Sequence, residues 1–231
     1  MTNQNAQSAR HKAPVRTRFG RAAALCALSC AFWLPGCNIV APVYMLIHGP
    51  EKVKKLYTLD KSRPTVVFVD DRANRVPRRA IRLVLAKEAE RVILKEKLVL
   101  DMISADSAML AAGNDRYDKP MPISEIGRAV HADVLIYATV DRFTLSPDGE
   151  TYAPEIVLRV KVIDATNDAR LWPDDEHGYQ MSVKLPSKTA TLPTSTAGRY
   201  QAEDELAKRA GWELAGLFYN HEPVHGPQGA D

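Results

Sequence analysis

The stretch at residues 133–140, Asp-Val-Leu-Ile-Tyr-Ala-Thr-Val, is the feature that most limits what this chain can fold into. Apolar residues occupy both odd and even positions, and this pattern favours a strand that is buried on both faces. Such a strand lies inside a sheet that other elements cover on each side. The chain is therefore predicted to form a layered domain around it.

Other segments supply the remaining elements of this domain. Strands are predicted at residues 65–69, 98–103, 156–162 and 179–185, and a loop at 111–122. Helices are predicted from residue 77 onward, over 123–131 and over 199–219, each with an apolar stripe. The predicted fold class is α/β, with a mixed sheet of about five strands in the order β-α-β-α-β-β-β-α. It has three helices and a three-strand antiparallel meander, and it spans residues 64–219.

The N-terminal region predicts export and lipidation. Five basic residues, spread over 10–21, precede an apolar run at 22–33, which is typical of a secretory signal. Leu34, Pro35, Gly36 and Cys37 follow. These residues resemble the bacterial lipobox, which implies cleavage between Gly36 and Cys37 and acylation of Cys37 with diacylglyceryl and palmitate. An ordinary signal-peptidase cut and an uncleaved membrane helix remain alternatives, although Pro35 and Gly36 interrupt the helix.

Charge and cysteine usage exclude several function classes. Removing the five basic residues of the signal at 1–36 from the 31 of the chain leaves 26, against 28 acidic residues. No basic field therefore remains to predict nucleic-acid binding. Cys26 and Cys30 lie inside the signal, so Cys37 is the sole mature cysteine. With its thiol acylated, no disulfide, thiolate metal site or cysteine nucleophile is expected.

The segments that flank the domain are predicted to lack a fold of their own. Residues 37–63 are interpreted as the lipidated N-terminus and a tether, which is charged over 51–63 and is either a short helix or an extended linker. Contact of residues 38–47 with lipid is an open alternative. Residues 220–231 are predicted to be a disordered tail because they are rich in proline and glycine.

Residues 131–140, then 158–164, then Leu171 and Trp172 resemble a known group of envelope lipoproteins. The group comprises CsgG, LpoB, the amino-terminal domain of TolB and lipoproteins of the GNA1162 type. The resemblance implies that Asp133, Asp164 and Trp172 have structural roles. The chain departs from the group's pattern at His131 and Ala138, where glycine is common, and at residues 167–168, where Thr-Gly is common.

No segment of the sequence matches a catalytic or metal-binding motif. The acidic segment at 174–177 matches no metal-binding template, and no glycine-rich phosphate loop follows Asp70 and Asp71. His221 and His225 are four apart, but in a proline-rich region, and no Gly-x-Ser-x-Gly elbow occurs. The protein is therefore predicted not to be an enzyme and to use no cofactor or metal.

The sequence predicts a non-catalytic adaptor in the cell envelope, held to a membrane through Cys37 and facing the periplasm. Its partner is expected to be an envelope protein that binds an edge strand at Tyr179, Met181 and Val183, or the loop at 111–122. Met181→Pro is expected to abolish capture of the partner and to preserve the fold. Asn38 favours the outer membrane over the inner one. The alternatives are a subunit of an oligomeric secretion assembly and a metal-dependent enzyme, and the oligomeric state is open.

Overall fold

The computed structural model describes residues 52–113, 121–186 and 191–223. These ranges contain six strands and four helices. In chain order they are β1 (Thr65–Asp70), α1 (Ala80–Lys95), β2 (Met102–Ile103), α2 (Ala105–Gly113), α3 (Ile123–Ala129), β3 (Val134–Thr144), β4 (Glu155–Asp164), β5 (Arg170–Trp172), β6 (Tyr179–Lys184) and α4 (Thr196–Gly216). The predicted α/β class is confirmed.

The sheet is mixed, as predicted, and its strand order is β2-β1-β3-β4-β5, with β6 paired to β4 beside β5. β1 runs parallel to both β2 and β3. β3, β4 and β6 form the antiparallel meander. β3 lies between β1 and β4, so the strand with apolar residues on both faces is central, as its pattern predicts.

The structure has one strand and one helix more than the sequence predicts. β5 has three residues and lies between the predicted strands at 156–162 and 179–185, and it is too short to show a period. α2 covers residues 111–113 of the predicted loop, because its alanine-rich sequence favours helix. The strand predicted at 98–103 is reduced to the two residues of β2, and Leu100 before it is 80% exposed.

Helices cover both faces of the sheet. α1 and α4 lie on one face, over a large core that includes alternate residues of β1 and β3 and the inner face of β4. α2 and α3 lie on the other face, over a smaller core built around Phe68, Leu135 and Ile126. The predicted apolar stripes of α4 and β4 all point into the large core. Among the residues that the structure describes, no helix has both the length and the apolar character needed to cross a membrane.

The described part of the predicted tether, residues 52–63, lies against the domain. The Val53 N–H donates to the carbonyl of His221 at 2.7 Å, and the Leu56 N–H donates to that of Leu217 at 2.8 Å. The Tyr57 ring lies edge-on to Phe218, with centroids 6.5 Å apart, and Leu59 is buried. The apolar residues Val53, Leu56, Tyr57 and Leu59 inside this charged segment explain its packing. The boundaries assigned to tether, domain and tail remain predictions.

Candidate interaction surfaces

Only part of the predicted site lies within the described residues. Gly36 and Cys37, which carry the predicted cleavage and lipidation, lie outside them. The predicted partner edge, formed by Tyr179, Met181 and Val183, coincides with β6. Of the loop at 111–122, residues 111–113 belong to α2 and residues 114–120 lie outside the described ranges.

β6 pairs with β4 along one edge, and no strand within the described ranges pairs with its other edge. The register places Glu155 opposite Lys184, and the Leu185 N–H donates to the carbonyl of Pro154 at 3.2 Å. Hydrogen-bonded and non-bonded pairs alternate along an antiparallel ladder, so the backbone groups of every second residue from Leu185 point toward β4. These residues are Val183, Met181 and Tyr179. The backbone groups of Gln180, Ser182 and Lys184 therefore form the free edge.

The side chains of β6 also divide between two faces. Met181 and Val183 are 8% and 4% exposed and belong to the core under α4, whereas Tyr179 packs on Trp172 with ring centroids 5.2 Å apart. The predicted edge residues are thus mainly core residues. This position contradicts the expectation that Met181→Pro preserves the fold, because proline would remove a ladder hydrogen bond and a core side chain together.

On its solvent face β6 joins a polar network centred on Glu155. The Ser182 hydroxyl donates to Glu155 Oε1 at 2.8 Å, and Arg142 contacts Glu155 Oε2 at 2.6 Å. Lys184 Nζ lies 3.7 Å from the same carboxylate. The hydrogen bond from Ser182, followed by the charges of Arg142 and Lys184, lowers the pKa of Glu155. These contacts join side chains only, so they fix the solvent face of β6 and involve none of the backbone groups along its edge.

An open groove of about 470 Å³ runs beside the edge of β6. One wall is β6, a second is the last two turns of α4, and a third is the extended segment at 53–56. Val53 and Leu56 in this third wall are 43% and 48% exposed. The His221 ring lies edge-on to Trp212 at 5.1 Å and holds the end of the wall against α4. The groove thus joins an unpaired strand edge to exposed apolar side chains.

A second concavity, of about 370 Å³, lies at the C-terminal end of β1. Asp70 is 6% exposed and accepts a hydrogen bond from the Tyr137 hydroxyl at 2.9 Å. Arg72 Nε contacts the same carboxylate oxygen at 2.8 Å. Burial, together with the Asp70 charge, raises the pKa of Tyr137, so this hydroxyl stays a donor. Asp71 accepts from the Arg75 N–H at 2.7 Å and from the Val76 N–H at 3.0 Å, and these bonds hold the turn that follows β1.

The three residues with predicted structural roles lie at the opposite end of β1 and β3. Arg63 Nη2 lies 2.9 Å from Asp164 Oδ2 and donates to the Asp133 carbonyl at 3.1 Å. Burial opposes ionisation of Asp164, but hydrogen bonds from Thr166 and the charge of Arg63 outweigh it and lower the pKa of Asp164. Trp172 packs between Tyr57 and Tyr179.

The acidic segment at 174–177 forms the turn before β6. The Asp175 carboxylate accepts from the His177 N–H at 2.8 Å, and its carbonyl accepts from the Gly178 N–H at 3.0 Å. Within the described ranges, no group of three histidine, cysteine, aspartate or glutamate side chains is arranged to hold a metal ion. His221 packs on Trp212 in the groove wall, while His225 lies outside the described residues.

Comparison with known proteins supplies structural neighbours but no relatives by sequence. No protein-family model matches the chain, and no curated protein matches it. The similar solved structures include the PelC dodecamer from Paraburkholderia phytofirmans, at 13% identity and a TM-score of 0.37, covering 73% of this chain and 96% of that one.

Two further neighbours belong to the group that the sequence resembles. Lipoprotein GNA1162 from Neisseria meningitidis is 11% identical, covers 62% of this chain and 92% of its own, and has a TM-score of 0.35. The LpoB C-terminal domain from Salmonella enterica is 12% identical, covers 63% and 94%, and has a TM-score of 0.31. The predicted resemblance to this group of lipoproteins is confirmed. At these sequence identities and TM-scores, none of the three neighbours indicates an activity or a partner for this chain.

Sequence reasoning missed the groove and the second concavity. Both depend on contacts between residues far apart in the chain, such as Tyr137 with Asp70 and Val53 with His221. For each of these two surfaces, the sequence contains one feature that indicates its position. Asp70 and Asp71 follow a buried strand, and apolar residues recur in the charged segment at 53–59.

Proposed function

We propose that this protein is a lipid-anchored envelope lipoprotein that faces the periplasm and acts as a non-catalytic adaptor. Its anchor is the lipidated Cys37, and its working part is the α/β domain. The domain captures an extended segment of an envelope protein, which adds as a strand to the free edge of β6. The observation that carries this proposal is the unpaired edge of β6 beside the groove.

Strand addition suits this edge for two reasons. An incoming strand would bond the outward backbone groups of Gln180, Ser182 and Lys184, and such main-chain bonds provide affinity. Its alternate side chains would enter the groove and meet Val53 and Leu56, which provides selectivity for apolar residues. The partner is therefore a protein segment rather than a nucleic acid.

The anchor limits how far the groove can lie from the membrane. Val53 in the groove wall follows Cys37 by 16 positions. At about 3.3–3.6 Å per residue, this length of chain spans at most about 55 Å. Tethering within this distance raises the local concentration of the domain near membrane-bound partners and strengthens capture without new contacts.

The anchor is tested by Cys37→Ser. We expect the wild type to fractionate with membranes and to carry an acylated cysteine at its N-terminus, detected by mass spectrometry of the mature protein. The variant should keep its signal or be released unacylated. Density separation of the membranes then decides between the outer membrane, which we favour, and the inner one. A wild-type protein that stays on the membrane with its signal removed and no acyl group at its N-terminus would rule out lipidation as the anchor.

The edge is tested by Gln180→Pro, with Gln180→Ala as its matched control. Proline at 180 removes an outward N–H and blocks an incoming strand, whereas the bonds between β6 and β4 remain. A photoreactive amino acid at Lys184, on the free edge, reports the partner in living cells. We expect one crosslinked envelope protein in wild type and Gln180→Ala, and its loss in Gln180→Pro.

Two results would contradict the edge proposal. One is an undiminished crosslink in Gln180→Pro at unchanged thermal stability. The other is a crosslink that is equally strong when the photoreactive residue stands at Lys208, on the solvent face of α4. Met181→Pro serves as the destabilised reference, and we expect it to lose most of its folded population for the reasons given above.

A further inference from the structure

The concavity at the end of β1 lies where the path of the chain reverses. From β1 the chain crosses through α1 to β2 on one side, and from β2 it returns through α2 and α3 to β3 on the other side. α1 lies on one face of the sheet, and α2 and α3 lie on the other. Helices that leave in opposite directions open a crevice at the carboxyl ends of the strands, where α/β proteins bind ligands. We refer to this concavity as the switch-point cleft.

The floor of the switch-point cleft is rigid. Asp70 is fixed by Tyr137 and holds Arg72 across the floor, while the Phe68 ring stacks on Tyr137 with centroids 6.1 Å apart. Phe68, Met109 and Ile126 form an apolar wall. Asp70 and Asp71 both accept hydrogen bonds from the protein, and within the described residues neither forms an ion pair with Arg79 or Arg82.

The rim of the cleft carries two arginines that form no ion pair among the described residues. Arg79 and Arg82 line it at the start of α1, and no carboxylate within the described ranges pairs with either. Their neighbour Arg78 is bonded to Glu203 and Asp204. The first turn of α1 contains no acidic residue and has no side-chain cap. Positive charge at a helix N-terminus is unfavourable by itself, and a bound anion would offset it.

We propose that the switch-point cleft binds a small anionic molecule through Arg72, Arg79 and Arg82. The ligand carries a phosphate or carboxylate group, since guanidinium groups bind both through paired hydrogen bonds. It also has an apolar part that rests on Phe68. A volume of about 370 Å³ fits a small molecule and excludes a folded partner. The site is separate from the edge of β6 and does not depend on the proposed function.

Calorimetric titration of the mature protein, purified from cells in an uncharged detergent, tests this site. The probes are sodium phosphate and sodium succinate, each at constant ionic strength, and they distinguish the two anion classes by their affinities. Arg79→Ala/Arg82→Ala removes the rim cations. The control, Arg199→Ala/Lys208→Ala, removes the same charge from exposed positions of α4. We expect the first variant to weaken binding by about tenfold or more and the control to stay within about twofold.

Modification by an arginine-selective dicarbonyl reagent, read by peptide mass spectrometry, locates the anion. The tighter probe should protect Arg79 and Arg82 in the wild type and leave Arg199 reactive. Gln180→Pro should bind the probe normally, which separates this site from the edge of β6. The proposal is wrong if neither probe saturates, if both variants weaken binding equally, or if Arg79 and Arg82 stay as reactive with the probe as without it.

Discussion

At the N-terminal ends of β1 and β3 one arginine bonds two acceptors, whereas at their C-terminal ends two of three arginines have no partner among the described residues. Arg63 joins the Asp164 carboxylate to the Asp133 carbonyl and closes the N-terminal end. At the C-terminal end only Arg72 is paired, and the switch-point cleft stays open. Because both ends belong to the same two strands, the difference separates residues that hold the fold from residues that are available for binding.

The largest expected effect comes from breaking the closed end with Arg63→Ala. This change leaves the 7%-exposed Asp164 without its cation, and an unsatisfied buried acceptor of this kind costs about 2–3 kcal/mol. Denaturant unfolding at neutral pH measures the free energy of unfolding. A loss no larger than that caused by removing an exposed arginine that forms no ion pair among the described residues, such as Arg199, would show that the two ends do not differ.

The pH dependence sharpens this test. The folded pKa of Asp164 lies below its ordinary value of 3.8, so the stabilisation from ionised Asp164 is complete above that pH. It disappears as the pH falls through the lower, folded value. Arg63→Ala and wild type should therefore differ most near neutral pH and converge in acid. A difference that stays constant into acid would assign the effect of Arg63 to packing alone.

The next effect concerns a strained residue at the closed end. His131, just before β3, has a φ of 59°, and Asp168, in the turn after β4, has a φ of 63°. Glycine adopts this conformation without strain, whereas a residue with a side chain does not. His131→Gly should therefore raise the free energy of unfolding by about 0.5–1 kcal/mol. His177→Gly is the control and should lower it, since His177 has no positive φ.

The strands and the core could be read from the sequence because each depends on a local period. The alternation at 156–162 and the two-faced pattern at 133–140 match the observed burial of β4 and β3. The strand predicted at 98–103 is longer than the observed one because an apolar run does not show which of its residues pair with a neighbouring strand. The edge strand at 179–183 is predicted from its alternation, but neither the residues whose backbone groups are free nor the cleft could be derived in this way. The free edge depends on register, and the cleft depends on which arginines find a carboxylate after folding.

The smallest expected effect is a gain in stability at the open end. Arg79→Ala removes an unpaired cation from the N-terminus of α1, so the free energy of unfolding should rise by about 0.3–0.5 kcal/mol at low ionic strength. Arg78→Ala is a control in the same turn and should have the opposite sign, because Arg78 bridges Glu203 and Asp204. Salt should reduce the gain from Arg79→Ala, since the field of the helix is screened. Unfolding curves at two salt concentrations measure the sign of the change in the free energy of unfolding for both variants. A loss for Arg79→Ala would mean that Arg79 supports the fold as Arg63 does, and the contrast between the two ends would fail.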